Sequence, residues 1–299
     1  MRLAMVGLGK MGFNMTRRLL RGRHKVVAFA RTRSSVSRAV RLGAQGAGSL
    51  EEAVSLLRPP RIVWLMIPAG GPVRDAVAQL AGLLERGDVV VDGGNSYYKD
   101  DAEHARVLAG KGVRFMDAGV SGGVWGLKVG YCLMVGGDKA AYRKLEPLFK
   151  TLAPRDGYAR VGPTGAGHFV KMVHNGIEYA MMQAYAEGFE LMQASRFGVD
   201  LHRVARLWNR GSVVRSWLLE LAESALRKDP GLRSLRGHVQ DSGEGRWTVL
   251  EAVENAVPAP TIALSLFKRF RSRQKDPFSD RMLAALRNEF GGHAVTRKR

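Results

Sequence analysis

The sequence predicts an α/β domain built on a doubly wound parallel sheet, followed by an all-α domain. Three observations carry this. Up to Gly162, short apolar runs alternate with stretches of helical spacing, as strand–helix–strand units do. The first of these units turns through Gly7-Leu8-Gly9-Lys10-Met11-Gly12, with a strand-like run before it and a helical one after it. From Thr164 onward helical periods replace the strand signal almost completely. The 299 residues allow two domains, and the change of character at Gly162-Pro163 sets them at 1–163 and 164–299.

Residues 2–6 read as the first strand and the helical spacing then runs to Leu20, before a second strand at 25–29. In this context Gly7 permits the tight turn. Gly9 lets the backbone approach a pyrophosphate, and Gly12 lets the helix pack on the sheet. Free N–H groups at the helix start would face that pyrophosphate, with Lys10 and Met11 beside it. This is a Rossmann-type dinucleotide fingerprint. Further strands are expected at 62–67, 89–92, 113–117 and 131–135, with helices at 34–42, 73–84 and 99–111. In the second half, helical runs cover 165–197, 201–209, 213–228, 246–254, 258–275 and 279–290, and 296–299 read as a frayed basic tail.

Composition narrows the function. Hydrophobic residues at 45% and charged residues at 25% exclude a disordered or collagenous chain. The single cysteine, Cys132, excludes an internal disulfide framework and any multi-cysteine metal site, and fits a reduced, cytoplasmic setting. No apolar run is long enough to span a bilayer, and the N-terminus does not read as a signal peptide. The formal charge is +20, and the first fifty residues hold eleven Lys/Arg and no Asp or Glu. Such a field attracts anions. The basic residues are scattered rather than in a block, which argues against nucleic acid as the partner.

The end of the second strand bears on the nucleotide. An acid there usually binds the ribose 2′-OH of NAD. Here Ala30 stands about at that point, followed by Arg31, Thr32 and Arg33. Guanidinium and hydroxyl donors suit a 2′-phosphate, so NADP is the expected cofactor, with NAD as the alternative.

The helical run after Gly165 is mostly apolar, yet Lys171, His174, Asn175 and Glu178 recur at i, i+3, i+4 and i+7 on one face. Each alone would read as a solvated or satisfied residue, but burying four in one stripe without a function is costly. A lysine in a cationic, partly dry site has its pKa lowered and can act as a base. A glutamate in an apolar site can be held protonated and act as an acid. Two glycine-rich segments, Val91-Asp92-Gly93-Gly94-Asn95-Ser96 and Asp117-Ala118-Gly119-Val120-Ser121-Gly122-Gly123, lie at the ends of predicted strands, where ligands of open α/β sheets bind. No spacing reads as a metal-ligand cluster.

With these residues in view, the chain resembles the 6-phosphogluconate dehydrogenases, the decarboxylating enzymes of the pentose phosphate pathway, in their short bacterial form. The likeness spans nearly the whole chain, through the glycine fingerprint, 91–97, 117–130, 162–179, 241–248 and Arg287-Asn288-Glu289-Phe290-Gly291-Gly292-His293. The resemblance implies that Lys171 takes the proton of the substrate 3-hydroxyl during hydride transfer from C3 and later donates to the new carbonyl. Glu178 would protonate C1 of the forming ribulose 5-phosphate after loss of CO2. Asn95, Ser121, Gly122, Gly123, His174 and Asn175 would position the sugar acid, with Asn95 also near the cofactor. Tyr179 and Arg269 would take the phosphate, together with Arg287 of a partner subunit, and His293 would join from the same tail. A homodimer or larger homo-oligomer is thereby implied. The substrate lysine that longer relatives carry near Ser242 is absent. The alternative reading is a β-hydroxyacid dehydrogenase for a small unphosphorylated 3-hydroxy acid, which would need neither Arg269, Arg287 nor His293.

Overall fold

The computed structural model describes residues 1–297, so the last two residues of the expected basic tail lie outside the described residues. The chain forms two compact units, Met1–His174 and Asn175–Arg299.

The first unit is one eight-stranded sheet. Its strands are β1 (Arg2–Val6), β2 (Lys25–Phe29), β3 (Gln45–Gly46), β4 (Ile62–Leu65), β5 (Val89–Asp92), β6 (Arg114–Ser121), β7 (Cys132–Gly137) and β8 (Tyr158–Gly162). Their order is β3-β2-β1-β4-β5-β6-β7-β8. The chain lays β2 and β3 on one side of β1 and then crosses to β4 on the other, which makes the carboxyl ends of the central strands the ligand edge. Both faces are covered, so the strands are apolar throughout rather than alternating. Leu3 and Met5 of β1 enter one core with Trp64, Tyr131 and Phe149, while Ala4 and Val6 enter the other with Leu65, Leu80 and Phe115.

The sheet is doubly wound and parallel as expected, except at one place: β6 and β7 pair antiparallel. The link between them is shorter than the crossover a parallel pair needs. Of the elements outside the expected set, three have a plain physical reason. β3 has two residues and no periodicity. β8 is an edge strand with half-exposed side chains. Helix α7 (Lys139–Leu152) contains Pro147, a residue that argues against a helix interior. The helices ahead of it are α1 (Lys10–Arg21), α2 (Arg33–Val40), α3 (Leu50–Ser55), α4 (Gly71–Leu83), α5 (Tyr98–Ala109) and α6 (Gly126–Val129).

Helix α8 (Ala166–Ala194) begins in the first unit and ends in the second. The compact units therefore divide inside α8, whereas 163/164 separates β8 from α8. The first turns of α8 pack on the sheet: a Cβ on Gly167 would stand 2.4 Å from Met134 O and 2.8 Å from Asp117 O. The second unit continues with α9 (Leu201–Trp208), α10 (Trp217–Lys228), α11 (Glu244–Glu254), α12 (Pro260–Ser272) and α13 (Phe278–Gly291). Asp200 and Ser216 cap α9 and α10 through Arg203 N–H and Leu219 N–H. The apolar cluster here is small: Leu201, Ala205, Leu219 and Leu226, with Tyr185, Phe189, Met192 and Trp208 against them. No helix among the described residues is long and apolar enough to cross a membrane.

A strand residue starts α8. Asp117 Oδ1 accepts Gly165 N–H at 2.8 Å and Oδ2 accepts His168 N–H at 2.9 Å, both buried. Asp117→Ala leaves these donors unpaired inside the protein, and the expected loss is about 2–4 kcal/mol. Urea unfolding measures it as a lower midpoint with an unchanged slope.

Candidate active site

The glycine turn has the geometry of an anion cradle. Gly7 lies at φ +96°, and a Cβ there would stand 2.3 Å from Met66 O. A Cβ on Gly12 would meet Gly7 O at 2.1 Å, which is why the helix needs glycine where it touches the turn. Above Gly9 there is open space, and Gly9 caps α1 with no side chain on its N–H groups and no acid in the first turn. A pyrophosphate fits that end of the helix. Lys10 is exposed and Met11 half-buried beside it. Val6 and Phe29 are register partners at the carboxyl ends of β1 and β2, and Gly7 N–H donates to Phe29 O at 2.8 Å. Arg31, Thr32 and Arg33 follow, all exposed, with Thr32 capping α2 and making no side-chain cap bond.

Two further strand ends contribute. Asp92 closes the loop after β5: Oδ1 accepts Gly94 N–H at 2.9 Å and Oδ2 accepts Ser96 Oγ–H at 2.6 Å. The tight turn presents Asn95, which is exposed. β6 ends at Ser121, whose Oγ shares a 3.3 Å hydrogen bond with His174 Nε2. Gly122 and Gly123 follow at φ +133° and +52°.

Helix α8 carries all four stripe residues. Lys171 is 8% exposed, Asn175 is buried, and His174 and Glu178 are half-buried. Lys171 lies against Gly119, where a Cβ would stand 2.3 Å from Lys171 Cβ and 2.7 Å from Gly167 O. Any larger residue at 119 would push the lysine away from β6.

In the second unit, Tyr179 is buried and its hydroxyl accepts Ser242 N–H at 3.2 Å. The Arg269 guanidinium carbon stands 3.4 Å from the Tyr179 ring centroid, and its Nη1 donates to Gln240 O. Beside them, Asp241 takes Arg246 at 2.7 Å and Arg273 at 3.0 Å. The Arg246 hydrogen bond, with Arg273 behind it, holds the Asp241 carboxyl below its ordinary value against the effect of burial. Arg246 and Arg273 thus stand near Ser242, where the resemblance implies a lysine that this sequence lacks. Arg287 and His293 sit on α13 and its tail, both exposed. Among the described residues no hydrogen bond or ion pair joins either to Tyr179 or Arg269.

Sequence spacing concealed one feature. Asp92, Asp101, His104, Asp117 and His168 come from a strand, a helix, a second strand and a second helix, and all are buried. Two overlapping triads, Asp92/Asp101/His104 and Asp101/Asp117/His168, hold potential ligand atoms within 4.8 Å of one another. Donors already occupy Asp92 and Asp117, so the cluster reads first as a hydrogen-bond network. Burial raises the Asp101 carboxyl to about 7, opposed by its hydrogen bond to His168. Burial alone would lower His168, but the Asp101 hydrogen bond and the charges of Asp101, Asp92 and Asp117 raise it to about 9.

Three kinds of similarity bear on this site: family profiles, sequence relatives and a solved structure. A family profile described as the NAD binding domain of 6-phosphogluconate dehydrogenase matches residues 2–162, and one for the 6-phosphogluconate dehydrogenase C-terminal domain matches 167–289. An NAD(+)-dependent, decarboxylating 6-phosphogluconate dehydrogenase from Haloferax volcanii is 45% identical over 100% of this chain and 99% of its own. The Homo sapiens decarboxylating enzyme is 38% identical over 92% of this chain and 60% of its own. The Plasmodium falciparum 6-phosphogluconate dehydrogenase, solved apo, with NADP+ and with 6-phosphogluconate, superposes with a TM-score of 0.84 at 28% identity, covering 100% of this chain and 66% of that one.

Both shifted groups in the buried pair bind protons more tightly folded than unfolded. Asp101 contributes stability that fades between its ordinary value and about pH 7, and His168 contributes stability that is full below its ordinary value and fades up to about pH 9. The stability advantage of wild type over the double variant Asp101→Asn/His168→Asn should therefore shrink steadily from pH 5 to 9 in urea melts (roughly the window those values set). A gap that widens with pH contradicts the assignment. The two profiles together cover nearly the whole chain and the Haloferax volcanii relative matches it end to end, so this chain belongs to the 6-phosphogluconate dehydrogenase family.

Proposed function

We propose that this chain catalyses the oxidative decarboxylation of 6-phosphogluconate to ribulose 5-phosphate and CO2, in the cytoplasm, with NADP as the preferred oxidant. The observation that carries the reading is the polar stripe of α8, with Lys171 buried against Gly119 and His174 on Ser121. The alternative, a small unphosphorylated 3-hydroxy acid, leaves Arg269 on Tyr179 and the Arg246–Asp241–Arg273 group without a purpose.

The bound nicotinamide supplies the hydride acceptor for C3. Lys171 takes the 3-hydroxyl proton, and Ser121, His174, Asn175 and Asn95 orient the sugar acid. The new carbonyl is the electron sink for cleavage of the C1–C2 bond, and Lys171, now protonated, donates to its oxygen as the enediol forms. Glu178 delivers a proton to the carbon that lost CO2, which is C2 of the gluconate and C1 of ribulose 5-phosphate. Tyr179 and Arg269 hold the phosphate, with Arg246 and Arg273 supplying positive charge on the side where the lysine is missing. The relatives divide over the nucleotide, one being named NAD(+)-dependent and one solved with NADP+. Arg31 and Arg33, with no carboxylate beside them, favour the 2′-phosphate.

The second unit supports a homodimer as the working form. Helix α13 buries none of its residues, yet Phe278, Met282, Leu286 and Phe290 recur every fourth position along it, with Leu283 beside them, all exposed. An apolar stripe of this size marks a protein interface, and a second copy that covered it would bring Arg287 and His293 to its neighbour's site.

Purified protein given 6-phosphogluconate and NADP+ should generate reduced nicotinamide and CO2, and Lys171→Met should fold, bind NADP+ and lose about 10²–10⁴-fold in kcat. Turnover that survives Lys171→Met would sink the base assignment. A signal with NAD+ alone would keep the reaction and remove the role given to Arg31 and Arg33. Leu286→Asp should shift the protein to monomer in analytical ultracentrifugation and abolish turnover together. A variant that stays dimeric would show that the α13 stripe is not the interface.

A further inference from the structure

The first turn of α8 is held from two directions by buried acids. Asp117 on β6 caps it through Gly165 N–H and His168 N–H. Asp101 on α5 takes the His168 side chain, with Nδ1 and Oδ2 2.8 Å apart. His168 is 1% exposed and Asp101 is fully buried. The remaining polar atoms of the pair, Asp101 Oδ1 and His168 Nε2, are buried with no hydrogen-bond partner.

Stability does not demand such a pair. A buried ion pair replaced by apolar residues of similar volume is often as stable or more so. A directional hydrogen bond offers what apolar packing lacks: it fixes one rotation of the helix about its axis and one height along it. Lys171 lies one turn beyond His168 on the same helix. On the other side it meets Gly119, where not even a methyl group would fit. A small rotation of the first turn of α8 therefore redirects the whole lysine side chain, and loss of geometry at a reacting group costs rate rather than affinity.

We propose that Asp101 and His168 are positioning residues that set the direction of Lys171 by fixing the first turn of α8. This rests on the reading of Lys171 as the base. The pair touches neither substrate nor cofactor in that reading.

The decisive variant is Asp101→Leu/His168→Leu, in which two apolar side chains replace the pair. It should match or exceed the thermal stability of wild type and bind NADP+ and 6-phosphogluconate within about 2-fold, while kcat falls by about 10-fold or more. His168→Asn, whose amide reaches the place of Nδ1, should recover most of the rate, and His168→Ala should not. A stable double-leucine variant with wild-type kcat overturns the proposal, as does a His168→Asn variant no better than His168→Ala. Acylation of Lys171 by acetic anhydride, followed by peptide mass spectrometry, reads its presentation without turnover. The rate at Lys171 should change in the double-leucine and alanine variants, return in His168→Asn, and stay constant at the surface lysines. An unchanged rate at Lys171 overturns the proposal even if wild type fails to oxidise 6-phosphogluconate, an outcome that would count against the function and not against the positioning. Should the double-leucine variant fail to fold, the His168→Asn and His168→Ala comparison decides both readouts.

Discussion

The site depends on how closely α8 approaches β6. Gly119 and Gly167 remove the side chains that would hold helix and strand apart, and Asp117 then ties the helix start to the strand through two N–H groups. The approach is what brings Lys171 to 8% exposure beside the strand end that carries Ser121. Strand β6 thus does three things at once. Its backbone provides the bed, Asp117 the cap, and its last residue a hydroxyl for His174. A substitution anywhere along it would be felt by the lysine, because a close-packed interior transmits displacement instead of absorbing it.

Charge is arranged in the same layered manner. Three of the buried aspartates, Asp92, Asp101 and Asp117, each serve a structural donor: a turn, a histidine and a helix start. The residues that face outward at the strand ends are neutral or basic: Asn95, Ser121, Lys10, Arg31 and Arg33. Acids are spent inside to hold loops and helix ends, while the rim is left attractive to anions. The +20 formal charge and the acid-free first fifty residues follow the same direction, since that segment supplies the glycine cradle and the end of β2.

Much of this was legible in the sequence. The glycine turn between strand and helix, the i, i+3, i+4, i+7 stripe and the switch to helical periods after Gly162 are local patterns, and the structure carries them as α1, α8 and the helices of the second unit. What periodicity could not reveal is non-local. The antiparallel entry of β7 depends on a link too short for a crossover, and β3 and β8 are too short or too half-buried to leave a pattern. The Asp101–His168 pair joins residues 67 positions apart, and Asp101 reads in sequence as one more first-turn acid of α5, a place where acids belong on dipole grounds alone. Arg246 and Arg273 escaped for a similar reason: only the fold shows that both converge on Asp241.

The two units differ in how they satisfy the same demand for burial. The first closes two apolar layers around its sheet, with Trp64, Tyr131 and Phe149 fully buried on one side alone. The second has a cluster of four buried apolar residues and leaves Leu191, Phe197, Leu207, Val253 and Phe290 exposed. Helices with so small a core draw their stability from whatever covers their outer faces, since propensity alone contributes little. In the proposed dimer that cover is a second copy. The residues assigned to hold the phosphate would then depend on association twice over, once because α13 carries Arg287 across, and once because the helices bearing Tyr179 and Arg269 would be packed only when paired. In that dimer, phosphate recognition and subunit assembly would become one property of the second unit, while the glycine cradle lies wholly within the first.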